Sequence, residues 1–108
     1  MKKYHVVLTE TAKQDLREIV FYLSEKSEDK NSAKKFVNEL RDQTGQLILF
    51  PESGALPKDR ILKSLGYRFL VHKDYLLFYL VDEPKETVNV TAVFNGKKDY
   101  MRVIKRFL

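Results

Sequence analysis

Between Gly66 and Tyr100 the apolar positions fall into three runs, Tyr67 to Val71, Tyr75 to Val81 and Val88 to Phe94, rich in β-branched and aromatic residues. Polar turn material separates them, so they predict a meander of antiparallel strands. The middle run, YLLFYLV, is apolar at nearly every position, which predicts an interior strand buried on both faces with helices on one side. Upstream the period changes. Ala12, Leu16, Ile19, Val20 and Leu23 recur at helical spacing as one stripe through about Lys26, broadened by Phe21 and Tyr22, and Thr11 with Gln14 has the spacing of a capping box. After the polar stretch SEKSEDKNS, a second stripe of Ala33, Phe36, Val37, Leu40, Thr44, Leu47 and Ile48 ends at Phe50, because the residue before Pro51 is pushed out of the helical region. Tyr4 to Leu8 reads as a short first strand. Two amphipathic helices joined by a loop must lay their stripes on something, and the sheet is the only candidate.

The fold class is therefore α+β: an N-terminal strand, then a two-helix antiparallel hairpin packed on one face of a mainly antiparallel four-stranded sheet. Pro51 to Asp59 is turn-rich and reads as an exposed connection, with Arg60 to Leu65 returning to the sheet. Tyr100 to Leu108 is a short basic tail, a final helical turn or a mobile end, with Met101, Ile104 and Leu108 at helical spacing.

Length and composition narrow the options. With 108 residues, 44% hydrophobic and 32% charged, residues 1–108 form one soluble domain just large enough for its own core. The lack of cysteine excludes disulfides, thiolate metal sites and a thiol nucleophile. His5 and His72 alone make no metal site, and no cofactor is expected. No signal-like or membrane-length apolar run is present, so a cytoplasmic protein with no membrane partner is expected.

Charge is unevenly placed. Residues 1–53 hold nine Lys/Arg and nine Asp/Glu, whereas residues 54–108 hold eleven against six, so the whole net charge of +5 lies in the second half. A polyanionic partner, nucleic acid or acidic polypeptide, fits that half; a merely soluble basic surface fits it too. Arg60 and Lys63 flank the entry to the sheet. Arg68 alternates with Tyr67 and Phe69 and so points to the opposite face, either as a surface cation or as part of an anion site. Lys97 and Lys98 after Gly96 are either a soluble turn or two cations fixed at a strand end. Tyr67, Phe69, Phe78 and Tyr79 read as core rather than a ligand platform, and His72 reads as an exposed loop residue.

The order strand, helix, helix, three strands resembles the RelE/ParE family of bacterial toxins over nearly the whole chain. The residues that carry it are Ala12, Asp15, Leu16 and Ile19, then Ala33, Phe36 and Leu40, then Leu49, Phe50, Pro51 and Gly54. Gly66, Tyr67 and Arg68 follow, then Phe78, Tyr79 and Val81, and finally the closing V-F-N-G-K-K-D-Y. The resemblance implies the growth-arresting toxin half of a type II toxin-antitoxin pair, neutralised by an antitoxin whose acidic or amphipathic C-terminal segment wraps it. Arg60, Lys63, Arg68, Lys97 and Lys98 are then the candidate residues for binding the target or the antitoxin.

The family divides by target. RelE-like members cut mRNA on the ribosome by attack of a 2′-hydroxyl on the adjacent phosphate, which needs a base, cations and an acid. The resemblance assigns these roles to Arg68, Lys97, Lys98 and Tyr100, with Tyr75 as a further stacking or proton-donating group. Against this branch, Leu76 and Leu70 stand where RelE-like cations are expected, and no histidine lies near the C-terminus. ParE-like members inhibit DNA gyrase without a nucleolytic constellation, and the long hairpin, FPESG and NGKKD favour that branch. A non-catalytic RNA-binding module, with Tyr67, Phe69, Tyr75, Phe78 and Tyr79 as stacking groups, is the reading from another class.

Overall fold

A computed structural model describes residues 2–26 and 31–107. Strand β1 (His5–Leu8) leads into helix α1 (Glu10–Lys26) and helix α2 (Ser32–Gly45), which continues as a short 3-10 turn, Gln46–Ile48. Helix α3 (Arg60–Ser64), strands β2 (Arg68–His72), β3 (Tyr75–Asp82) and β4 (Thr87–Asn95), and helix α4 (Tyr100–Ile104) follow. The expected interhelical turn falls partly on residues 27–30, outside the described residues. The sheet order is β1-β4-β3-β2, with β2, β3 and β4 an antiparallel meander and β1 parallel to β4.

The hairpin packs on one face as its periodicity requires. Ala12 and Ile19 of α1 and Phe36 and Leu40 of α2 form one buried cluster with Leu47, Leu70, Leu77, Tyr79, Val88, Val90 and Val93; Leu16 is half-buried against it. At the start of α1 the cap is Thr9 rather than Thr11, its Oγ1 accepting from Ala12 N at 3.2 Å. Helix α2 ends earlier than expected, at Gly45, and Phe50 is left 57% exposed.

The helices are not confined to one side. Leu62 of α3 and Val103 and Ile104 of α4 close a second cluster around Phe78, Ala92 and Phe94, so β3 is buried on both faces, as its unbroken apolar run requires. Arg60 to Ser64, expected to run straight into the sheet, instead makes a helical turn whose cap, Asp59 Oδ1, accepts from Ile61 N at 2.9 Å and Leu62 N at 3.0 Å. The tail is helical, but Met101 points outward at 69% exposure while Val103 and Ile104 point in; Leu108 lies outside the described residues.

One irregularity sets up the far end of the sheet. Phe78 pairs with Ala92 and Tyr79 with Val90, so Thr91 is an extra residue in β4. The bulge switches the alternation: Val88 and Val90 face the hairpin, then Ala92 and Phe94 face α4 while Val93 faces the hairpin. The pairing with β1 ends at the same place, at Leu8 opposite Val90.

Tyr4 ties the N-terminus to the turn after β3, donating its hydroxyl to Glu83 Oε2 at 2.6 Å. That hydrogen bond, together with burial and the charges of Glu83, Glu86 and Glu52, pushes the Tyr4 phenol up to about 12. An acid whose ionisation is opposed in the folded state stabilises the fold fully below its unfolded value near 10, and the contribution fades as pH rises from 10 towards 12. Thermal melts between pH 9 and pH 12 should therefore fall more steeply for the natural chain than for Tyr4→Phe. Equal slopes would remove Tyr4 as the group responsible.

Candidate functional site

The sheet's functional end is built by the turn after β4. Asn95 Oδ1 accepts from Lys97 N at 2.9 Å and Lys98 N at 3.0 Å, an Asx turn that aims both lysines. Gly96 N donates to Asp74 O at 2.8 Å, joining this turn to the β2–β3 turn. A side chain at Gly96 would meet Leu76 at 3.0 Å, which is why this position is small. Lys98 Nζ lies 3.3 Å from Tyr22 Oη and 5.3 Å above the Tyr22 ring, a cation-π contact across to α1.

A cleft of about 290 Å³ opens between these parts. Asp15, Glu18 and Tyr22 of α1 form one wall, Lys98, Asp99 and Arg102 the other, and Val93 to Asn95 the floor. Tyr75 also lines it, and burial raises its phenol above the ordinary value, opposed in part by Asn95 and Lys98. Tyr75 is thus a protonated hydrogen-bonding group at neutral pH, not a base.

The cations here are largely answered by acids. Lys97 Nζ is 3.1 Å from Asp74 Oδ1, Arg102 Nη2 is 3.6 Å from Asp99 Oδ1, and Arg106 Nη2 is 3.0 Å from Asp15 Oδ2. The first two pairs are exposed and contribute little to stability. Asp15 is mostly buried and also accepts from Val93 N at 3.1 Å, so it joins α1, β4 and the tail. Two of these pairs lie within the second half; among the described residues its cations meet first-half acids at Arg106–Asp15 and Lys73–Glu39, so most of the basic surplus remains on the surface.

The predicted site residues divide into two groups. Lys97, Lys98 and Tyr100 are together at this end, although Tyr100 is half-buried, its ring 6.3 Å from that of Phe94. Lys63 and Arg68 line a separate pocket with Glu52 and Glu83, and Arg60 is exposed at the start of α3. Arg68 pairs with Tyr79 and Asn95 with Tyr75, so four residues of β3, about 13 Å of extended strand, separate Arg68 from the lysine turn. The Arg68 guanidinium donates to Gly54 O at 3.0 Å, which makes it partly a structural strut. Leu70 is buried under the hairpin and Leu76 packs in the opposite cluster.

His72 is not an exposed loop residue. It ends β2, its Nε2 3.4 Å from Glu39 Oε1 and its ring 5.6 Å from that of Phe36. Burial pushes the Glu39 carboxyl up, but Lys73, His72 and Lys35 outweigh it and hold the group below its ordinary value. Sequence reasoning missed Tyr22 and Arg102 as site residues and took Asp15 only as part of the family pattern. The N-G pair was a usable signal for Asn95, whereas Tyr22 was hidden by its place beside the apolar stripe. Among the described residues no group of three or more His, Cys, Asp or Glu could hold a metal, and no helix is long and apolar enough to cross a membrane.

A parallel strand before a helical hairpin, a three-strand meander and a basic turn at its end define a class seen in solved structures. The chain is similar to a structure of the chromosomal ParDE toxin-antitoxin system from P. aeruginosa, at 17% identity and a TM-score of 0.69, covering 86% of this chain and 96% of that one. It is similar to the RelBE2 toxin-antitoxin complex from Mycobacterium tuberculosis at 21% identity and a TM-score of 0.62, covering 88% and 93%. The isolated E. coli toxin RelE matches at 19% identity and a TM-score of 0.58, covering 97% and 99%. At such identities the likeness is one of fold. No curated protein matches. The family described as the ParE toxin of type II toxin-antitoxin systems matches residues 6–100, and the chain belongs to that family.

Proposed function

We propose that this toxin arrests growth by inhibiting DNA gyrase, and that a cognate antitoxin neutralises it. The observation that carries the target is the dispersal of the groups that RNA cleavage would require. Arg68 sits opposite Tyr79 in the middle of β3, four residues along from the lysine turn, and Leu76 is packed among apolar side chains. Losing one positioned group that stabilises transition-state charge costs roughly 10²–10³ in rate, so a scattered set supports binding better than phosphodiester cleavage. The membership of the ParE toxin family supports the same target. The antitoxin is supported by the solved relatives, which include toxin-antitoxin systems.

Purified chain added to gyrase and relaxed plasmid should block supercoiling, and its expression should induce DNA-damage signalling while mRNA stays intact on ribosomes. Codon-positioned mRNA cleavage, abolished by Lys98→Ala or Arg68→Ala, would instead establish the RNA-cleaving reading. A host unharmed by expression would remove both and leave a binding module.

A further inference from the structure

Six of the eleven large apolar side chains exposed among the described residues lie between Ile48 and Leu65, on the connection from α2 to β2. Apolar groups gathered in this way on a surface mark a contact with another molecule, whereas single ones do not. Tyr4, Leu49 and Phe50 line one shallow hollow of about 620 Å³ there, and Leu56 and Val81 line a second of about 310 Å³. Glu52 and Glu83 belong to both, so the two hollows form one surface. From Tyr75, opposite Asn95, to Glu83 is eight residues, roughly 26 Å of extended chain, which puts this surface at the far end of the sheet from the lysine turn.

The surface carries charges of both signs. Glu52 and Glu83 share the smaller hollow with Lys63 and Arg68, yet among the described residues no ion pair joins any of the four. Glu83 accepts from the Tyr4 hydroxyl and Arg68 donates to Gly54 O, both neutral partners. The rim is mixed as well: Glu86 adds its charge beside Tyr4, and Lys2 lies 5.8 Å over that ring. The acids sit on the Phe50 side, because they line both hollows, and Lys63 and Arg68 line only the second. A surface of one sign calls for a partner of the other. One that holds both signs side by side and unpaired is complementary to a copy of itself turned through 180°.

We propose that this end of the molecule is the interface of a two-fold symmetric dimer of the chain, in which Glu52 and Glu83 of one protomer meet Lys63 and Arg68 of its partner. The axis passes over the hollow lined by Leu56 and Val81, so each contact between acid and cation is made twice and exposed apolar side chains are covered with them. Arg68 keeps its bond to Gly54 O through Nη1 and has further donors for a carboxylate. Such a dimer leaves the lysine turn and the cleft beside it uncovered on both protomers. The inference is independent of the toxin's target.

The test is sedimentation equilibrium of the purified full chain, which should give twice the 12.7 kDa mass of one copy. Glu52→Lys and Lys63→Glu, both at exposed positions, should each weaken the dimer at least about tenfold with far-ultraviolet circular dichroism unchanged, because each sets like charges against one another twice. Mixing the two variants in equal amounts should restore a dimer, since both contacts of the mixed pair are again of opposite sign. The two substitutions in one chain should restore it as well. A natural chain that stays monomeric at about 100 μM overturns the proposal and leaves this surface to a different protein. A dimer indifferent to both reversals, or a weakened one that mixing does not restore, overturns this interface.

Discussion

Replacing Phe78 with alanine should lower stability by about 3–5 kcal/mol, a large share of the roughly 5–15 kcal/mol typical of a domain. Phe78 is 1% exposed and its ring is stacked on Phe69 at 5.4 Å, Phe94 at 5.5 Å and Phe107 at 6.1 Å. This one side chain thus joins β2, β4 and the C-terminal tail. The cavity would lie between the sheet and two five-residue helices, α3 and α4, neither long enough to be stable without tertiary packing. Urea titration should show the midpoint falling sharply, with near-ultraviolet circular dichroism reporting loss of the aromatic stack. A loss below about 1 kcal/mol would mean that the second cluster contributes little to the fold.

The second large effect is expected at Gly54. A side chain there would place its Cβ 2.5 Å from Tyr79 Oη and 2.9 Å from Phe69 O. Neither can retreat easily, because Tyr79 is fully buried and Phe69 O accepts from Ala55 N at 2.8 Å. The same residue donates Gly54 N to Tyr79 Oη at 2.9 Å and accepts from Arg68, so it staples the long connection after α2 onto the sheet. Gly54→Ala should cost about 2–4 kcal/mol, combining overpacking with the loss of a buried hydrogen bond. Tyr79→Phe removes only the acceptor and should cost about 1–3 kcal/mol. Because the two residues are in contact, the double variant should lose less than the sum of the single losses, which a double-mutant cycle would measure. Strict additivity would contradict the geometry.

Much of this fold was legible because its long elements carry long patterns. The stripes of α1 and α2 and the β3 run YLLFYLV specified the hairpin, the meander and burial on both faces of the central strand. The direction of β1 was not legible, since four residues paired across some eighty positions leave no local trace. The second cover of the sheet escaped notice because α3 and α4 are too short to show a period. The bulge left a faint mark in the consecutive apolar run Ala92, Val93, Phe94, where strict alternation breaks. At the site, Asn95, Lys97 and Lys98 followed from turn chemistry, but their distance from Arg68 depends on strand register, which composition does not encode.

The parallel pairing of β1 with β4 bears on when the toxin becomes active during its own synthesis. The first strand emerges some eighty positions before Thr87–Val90, its strand partner among the described residues. Tyr4 likewise waits for Glu83, and Asp15 waits for Arg106, 91 positions later. At about 5–20 residues per second, translation leaves the hairpin without its sheet for several seconds, and contacts so distant in sequence form slowly even afterwards. The candidate cleft, one wall drawn from α1 and the other from the tail, cannot exist on a nascent chain. A cell translating the antitoxin at the same time thus has an interval in which the inhibitor can be complete before the toxin is.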